Sequence, residues 1–98
     1  MQIKIEQHNT SFWHIHFITD EVKVVSRDYS RKSGAKNGLE TIKAHVLDKR
    51  RVFKDESHLV IRSRNNQIVL EQSFTSESVL LGFLKELRDY ASEGSAIA

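Results

Sequence analysis

The 98-residue sequence contains no cysteine, which excludes a small domain held together by disulfide bonds. It also lacks any apolar run near the roughly 18 residues that a membrane-spanning helix needs. Its first residues alternate apolar and polar side chains, without the uninterrupted apolar stretch of a secretory signal peptide. Hydrophobic residues make up 39% of the chain and charged residues 29%, as in ordinary globular domains. We therefore expect a single cytoplasmic domain over residues 1–98 with no membrane partner.

Three enzyme signatures are also missing. The chain has no Gly-x-Ser-x-Gly, no His-Glu-x-x-His and no glycine-rich loop that ends in a phosphate-binding lysine. Gly34 and Gly38 stand inside a helical pattern, whereas a phosphate cradle opens a helix after a strand. The sequence therefore predicts no catalytic residue and no cofactor.

The first half of the chain has the pattern of strands followed by a helix. Apolar residues alternate with polar ones up to Val25, which is the period of half-buried strands. After Ser30, which we expect to cap the helix, the period becomes helical. The apolar stripe of this helix comprises Ala35, Leu39, Ile42 and Val46. Gly38 interrupts the helix, so we expect a close approach of helix and sheet there.

The second half has the same order of patterns. Strand patterns over residues 58–63 and 67–71 precede a helix whose predicted N-cap is Thr75. The buried stripe of this helix comprises Leu80, Phe83, Leu84, Leu87 and Ala91. The pattern predicts a second helix that buries one face against the same core as the first.

A shift of 45 residues superposes the two halves. The superposed pairs include Val24 and Val69, Tyr29 and Phe74, Ser30 and Thr75, and Leu39 and Leu84, and Gly38 falls one residue from Gly82. We therefore predict a tandem duplication, with repeats at about residues 2–47 and 50–91 and a flexible tail at 92–98. Each copy is too small to bury its own apolar face, so the two must share one core.

The segment 26–45, which reads SRDYSRKSGAKNGLETIKAH, resembles the YegP-like family of domains of unknown function. That family has a serine-containing approach to a tyrosine, a small polar cap, and a helix that reads Ala-x-x-Gly-(Ile/Leu)-x-(Ser/Thr)-(Val/Ile)-Lys. The matching residues are Ser26, Tyr29, Ser30, Ala35, Gly38, Leu39, Thr41, Ile42 and Lys43. Residues 65–87 keep an asparagine-initiated hairpin with a degenerate helix, so the likeness covers about residues 2–90.

The patterns and the resemblance together predict an α+β domain. Tandem strand-strand-helix units would form a single antiparallel sheet of about six strands, with two helices packed on one face. Members of that family exchange terminal strands between repeats or subunits, which implies a bridging strand at residues 50–54. Because two fused copies supply what two subunits otherwise would, we expect a monomer that closes as a pseudo-dimer. A homodimer formed by strand exchange is the alternative.

Two histidines stand two residues apart in the predicted second strand. His14 and His16 therefore emerge on one face and could chelate zinc or nickel if His8, His45 or His58 came near. Because no cysteine and no second spaced pair accompanies them, an outward polar strand face is favoured over a metal site.

Basic residues concentrate in the middle of the chain. Residues 31–54 contain eight basic and two acidic side chains, and hence a net charge of +6, whereas the whole chain has +2. The residues that could bind a polyanion are Lys36, Lys43, Lys49, Arg50, Arg51 and Lys54. Such a patch can steer an anionic partner, and an ordinary solvated surface explains it as well.

These observations favour a small non-catalytic binding or assembly module whose protein or ligand partner is unknown. A weak, sequence-tolerant nucleic-acid binder is the alternative, and its binding would weaken steeply as salt rises. An enzyme is third, because it would need a concave pocket with converging polar groups.

Overall fold

The structure is a computed structural model that describes residues 1–97. Its strands are β1 (Gln2–Gln7), β2 (Trp13–Ile18), β3 (Lys23–Val25), β4 (Val52–Asp55), β5 (His58–Arg62) and β6 (Ile68–Ser73). Its helices are α1 (Lys32–Val46) and α2 (Glu77–Ile97), and a 3-10 turn (Lys49–Arg51) precedes β4. The first half, β1 to α1, and the second half, β4 to α2, thus share one order of elements. The predicted α+β class, with six strands and two helices, is confirmed.

The six strands form two antiparallel sheets, which we call sheet A (β1-β2-β3) and sheet B (β4-β5-β6). The expectation of a single six-stranded sheet is therefore wrong. A single sheet would need a strand of sheet B to pair with β1 or β3, the two outer strands of sheet A, and no such pairing is present in the strand orders of residues 1–97. β3 has only three residues, and β2 is its one neighbour in the sheet order.

The shortness of β3 has a local cause at Ser26. The Ser26 N–H donates to the Ile15 carbonyl at 2.9 Å, but the Ile15 N–H donates to the Ser26 hydroxyl oxygen at 2.8 Å. Pairing with β2 resumes only at Tyr29, which exchanges two backbone hydrogen bonds with Trp13 at 2.7 and 2.9 Å. This last pair is one residue out of register with β3. The extra residue makes a bulge, and a bulge bends a strand and interrupts its ladder.

The segment 50–54 does not bridge the two sheets, so that implication of the resemblance is wrong. The Asp48 carboxylate accepts a hydrogen bond from the Arg50 N–H at 3.0 Å and starts the 3-10 turn there. β4 begins only at Val52 and pairs with β5, with Val52 opposite Ile61. The segment therefore extends sheet B alone.

The carboxyl-terminal residues continue α2. The helix runs through Ile97, so residues 92–97 supply no closing strand. Ala98 lies outside the described residues. The flexibility of residues 92–98 stays a prediction.

One hydrophobic core joins both sheets and both helices. The sheets contribute Ile15, Phe17, Val24, Leu59, Ile61 and Leu70, and the helices contribute Ala35, Leu39, Ile42, Val46, Leu80, Phe83, Leu84, Leu87 and Ala91. The apolar stripes predicted for α1 and α2 are therefore confirmed. Phe17 and Phe83 meet edge to face with ring centroids 6.2 Å apart, which links the two halves at the centre of the core.

Gly38 lies at a close approach, but the group it faces is an aromatic ring. A Cβ atom at this position would lie 2.5 Å from Tyr29 Cζ and 2.7 Å from Tyr29 Cε1, far inside van der Waals contact. Gly82, the near-equivalent in the second half, has open space at the same place. The two glycines therefore have different roles, and only Gly38 is required by packing.

The helix caps lie one residue later than predicted. α1 has Arg31 as its N-cap, without a side-chain hydrogen bond, so the assignment of Ser30 is wrong. At the start of α2, the Ser76 hydroxyl accepts from the Val79 N–H at 3.2 Å, so Ser76 replaces Thr75. Cap residues satisfy amide groups that the first helical turn leaves without partners.

Candidate binding surface

One face of both sheets carries no helix. Core residues of the strands point toward α1 and α2, so the residues between them point to the opposite side, which we call the helix-free face. Phe53, Val25 and Ile68 are 49%, 38% and 40% exposed there. The Arg62 guanidinium lies over the Phe53 ring at 5.9 Å from its centroid. Exposed aromatic and aliphatic side chains beside arginine are typical of contact surfaces.

A cavity of about 280 Å³ lies between the two sheets. Residues 25–27, at the end of β3, line one side, and residues 68–71 of β6 line the other. Both are edge strands, since β3 pairs only with β2 and β6 pairs only with β5. The cavity is thus a cleft between two unpaired strand edges, which we call the β3–β6 cleft.

His14 and His16 emerge on one side of β2, as predicted, and His8 lies beside them. Ring centroids are 4.8 Å apart for His8 and His14, and 6.1 Å apart for His14 and His16. His14 Nε2 contacts Asp28 Oδ1, and His16 Nε2 lies 3.8 Å from Glu6 Oε2. Across residues 1–97, however, no three histidine or carboxylate side chains are placed to hold a metal ion.

The other two histidines that could have supplied a third ligand have different partners. His45, on α1, bonds through Nδ1 to the Thr41 carbonyl at 2.7 Å. His58 lies in sheet B and bonds to Glu71 and Ser73. The sequence could not show which of the other histidines lies near His14 and His16, because that depends on contacts made after folding.

His16 has an altered proton affinity. Burial is the main cause that lowers its pKa below the ordinary value of 6.5, and the positive charge of Lys23 acts in the same direction. Glu6 opposes them. His16 Nδ1 is buried and has no hydrogen-bond partner in the described part of the chain. These surroundings favour a neutral imidazole at physiological pH.

Four of the six predicted polyanion-binding residues have acidic partners. The pairs are Lys43 with Glu40 at 3.4 Å, Arg50 with Asp48 at 3.1 Å, Arg51 with Asp48 at 4.0 Å, and Lys54 with Glu77 at 2.9 Å. Hydrogen bonds from Arg50 are the main cause that lowers the pKa of Asp48, so this carboxylate stays charged at neutral pH. Lys36 and Lys49 are exposed. Carboxylates thus offset much of the positive charge that a phosphate would meet.

A hydrogen-bonded series on sheet B has no signal in the sequence. Ser73 Oγ lies 2.7 Å from His58 Nδ1, and Glu71 Oε2 lies 2.7 Å from His58 Nε2. The series exists because His58 is opposite Ser73 in the β5-β6 register, and Glu71 lies on the same side two residues away. A serine, an imidazole and a carboxylate in series make the acyl-transfer triad. Here all three are exposed to water, whereas such catalysis needs oriented oxyanion donors in a water-excluded site.

Comparisons with known proteins give no relative from which a role could be carried over. No family model matches the chain, and neither the curated proteins nor the solved structures contain a significant match. Among the described residues, no helix has the length and apolar character needed to cross a membrane.

Proposed function

We propose that this protein is a small non-catalytic binding module that contacts a partner protein through the helix-free face. The observation that carries the proposal is the exposure of Phe53, Ile68 and Val25 on that face, while α1 and α2 cover the other face. Apolar side chains grouped in this way mark interaction sites on small soluble domains. The repeated order of elements supports the tandem duplication and the YegP-like resemblance, and we expect the chain to act as a cytoplasmic monomer.

The nucleic-acid alternative has less support. Its basic segment has carboxylate partners at Lys43, Arg50, Arg51 and Lys54. Phosphates would have to displace these carboxylate partners before they could bind the basic side chains. The most exposed aromatic ring, Phe53, lies within the basic segment, but the Arg62 guanidinium already lies over it at 5.9 Å from its centroid.

The experiment compares two lysine substitutions at equally exposed apolar positions. Phe53→Lys alters the helix-free face, and Leu81→Lys alters the outer side of α2, where the side chain is 45% exposed. Proteins recovered with the wild-type chain from the producing cells are purified, and their binding to each variant is measured by calorimetry. We expect a partner that binds wild type and Leu81→Lys equally, and Phe53→Lys at least about tenfold more weakly.

Two results would contradict the proposal. Equal binding of every purified candidate to both variants would remove the helix-free face as the contact surface. Binding to single-stranded or duplex oligonucleotides that falls steeply with salt, and is lost on changing Arg50 and Arg51 to Glu, would establish the nucleic-acid alternative.

A fluorophosphonate probe tests the enzyme alternative separately, and we expect no labelling of Ser73.

A further inference from the structure

We infer that the β3–β6 cleft binds an extended peptide segment of a partner protein, which adds as a strand to both edges and joins sheets A and B. The inference rests on the proposed function, because it specifies how a protein partner would use the helix-free face. Its support is the direction of the main-chain N–H and carbonyl groups on the two walls of the cleft.

The β3 wall presents unpaired backbone groups. The Ser26 N–H donates to Ile15 at 2.9 Å, and the Thr19 N–H donates to the Val22 carbonyl at 2.9 Å. Residues 22, 24 and 26 therefore direct their backbone groups toward β2. Because these directions alternate along a strand, the N–H and carbonyl groups of Lys23 and Val25 point away from β2, toward the outer edge.

The β6 wall also presents outward backbone groups, at Glu71. The Phe74 N–H donates to the Ser57 carbonyl at 2.8 Å, so residues 70, 72 and 74 direct their backbone groups toward β5. The N–H and carbonyl groups of Glu71 then point away from β5, whereas a register shift makes Val69 an extra residue of β6, at which the alternation ends. Val25 and Glu71 both line the cleft, so outward donors and acceptors from both walls border one space.

Only another strand matches this pattern. Outward groups on a strand edge recur every second residue, or about 6.6 Å, and a peptide backbone has the same repeat. Neighbouring strands lie about 4.8 Å apart, so one inserted strand would pair with both walls across a gap of about two strand spacings and would unite the two three-stranded sheets. A helix has its backbone groups already paired and cannot do this.

The side chains that line the cleft define the class of segment. Val25 and Ile68 line the cleft from opposite walls and are exposed, which favours an apolar residue between them. Arg27 and Glu71 lie on opposite walls, so their charges offset each other and favour a segment of low net charge. The partner segment is therefore extended, rich in β-branched apolar residues at alternate positions, and without a central proline.

The test uses a displayed library of random peptides of about seven residues, selected on the intact wild-type chain. The strongest binder is synthesised in two forms, one unmodified and one N-methylated at alternate amides to remove its donors along one edge. We expect the unmodified peptide to shift the amide resonances of Val25, Val69 and Glu71 together. The N-methylated form should bind at least about tenfold more weakly.

A pair of proline variants tests the same contact from the side of the protein. Val25→Pro removes an outward N–H on β3, and Gln7→Pro removes an outward N–H on β1, the opposite free edge of sheet A. We expect Val25→Pro to weaken peptide binding about tenfold and Gln7→Pro to leave it unchanged. Thermal melts of both variants establish that they fold.

Several outcomes would overturn the inference. These are failure to select any peptide, equal binding of the N-methylated form, or shifts confined to residues around Phe53. The partner recovered in the previous experiment distinguishes the two proposals. If that partner requires Phe53 but binds Val25→Pro normally, the helix-free face remains the contact surface and the inference that the cleft binds a peptide is wrong. If neither Phe53→Lys nor Val25→Pro changes the binding of that partner, both proposals are wrong.

Discussion

The two halves of the molecule fill the same place in the core in opposite ways. In the first half, the Tyr29 ring covers Gly38, which has no side chain to interfere. The 45-residue shift places Phe74 on Tyr29 and Phe83 on Gly38. In the second half α2 therefore supplies the Phe83 ring. Its centroid lies 5.4 Å from that of Phe74, and the ring also contacts Phe17 of the first half. The comparison shows that equivalent positions share a volume rather than a residue type, as close packing requires.

A second difference concerns the edge strands. Ser26 is buried and its hydroxyl ends the ladder of β3, whereas Glu71, at the shifted position, is exposed within the six-residue β6. β3 stops after three residues as a result. The edge strands β3 and β6 are therefore unequal in length, and the cleft lies between them.

The largest expected effect is at Phe83. Phe83→Ala removes the ring that fills the second half and contacts Phe74 and Phe17, so we expect the free energy of unfolding to fall by about 3–5 kcal/mol. Chemical denaturation followed by circular dichroism measures this change. A loss below about 1 kcal/mol would mean that other side chains collapse into the space and that the ring does not link the halves.

Gly38 and Gly82 form a matched pair with opposite expected signs. Gly38→Ala places a methyl group against the Tyr29 ring, and we expect a net loss of about 1–3 kcal/mol despite the better helix propensity of alanine. Gly82→Ala meets open space and should gain up to about 1 kcal/mol. Equal gains in the two variants, measured by thermal unfolding, would refute the close approach of Tyr29 and Gly38.

Ser26→Ala tests the difference between the edges. The substitution leaves the Ile15 N–H without its acceptor, which we expect to cost about 1–2 kcal/mol, in the lower part of the range for a buried donor. Glu71→Ala is the control, because it removes only a surface contact to His58 and should change stability by less than about 1 kcal/mol. If both substitutions had the same small effect, the Ser26 hydroxyl would not determine where β3 ends.

The smallest effect is a pH dependence that His16 contributes in the first half, because the 45-residue shift places the non-titrating Ile61 on this position in the second half. The pKa of His16 is lower in the folded protein than its ordinary value of 6.5, so the unfolded chain binds more protons in the interval between the two. The contribution of His16 is therefore fully present above pH 6.5 and is lost as the pH falls from there toward the lowered pKa. We expect His16→Gln to flatten the decline of stability over that interval. Identical pH profiles for the two proteins would contradict this expectation.

Much of the fold follows from apolar periodicity, and the parts that do not follow depend on register. The stripe through Ala35, Leu39 and Ile42 predicted α1 because burial of one helix face repeats at a period that sequence shows directly. The division into two sheets depends on a one-residue shift of register between Ser26 and Tyr29. This shift leaves the alternation of apolar and polar residues on either side unchanged, so the sequence does not show it. Both helices start one residue later than predicted. At α2 the adjacent hydroxyl groups of Thr75 and Ser76 are both able to cap, and at α1 the N-cap Arg31 makes no side-chain hydrogen bond that a sequence pattern could show.

The candidate site was predictable in part for the same reason. The common side of His14 and His16 follows from their spacing, and the structure places them so. The β3–β6 cleft and the His58, Glu71 and Ser73 series join residues whose proximity depends on strand pairing. No local pattern encodes such pairings until the register is known.

Native-state hydrogen exchange by NMR tests most directly whether the facing edges of β3 and β6 are unpaired. We predict that the outward amides of Val25 and Glu71 exchange rapidly, while those of Val24 and Leu70, which bond to β2 and β5, are strongly protected. Slow exchange at Val25 and Glu71, comparable with that of Val24 and Leu70, would show that the two sheets are joined in the free protein and that no cleft exists between them.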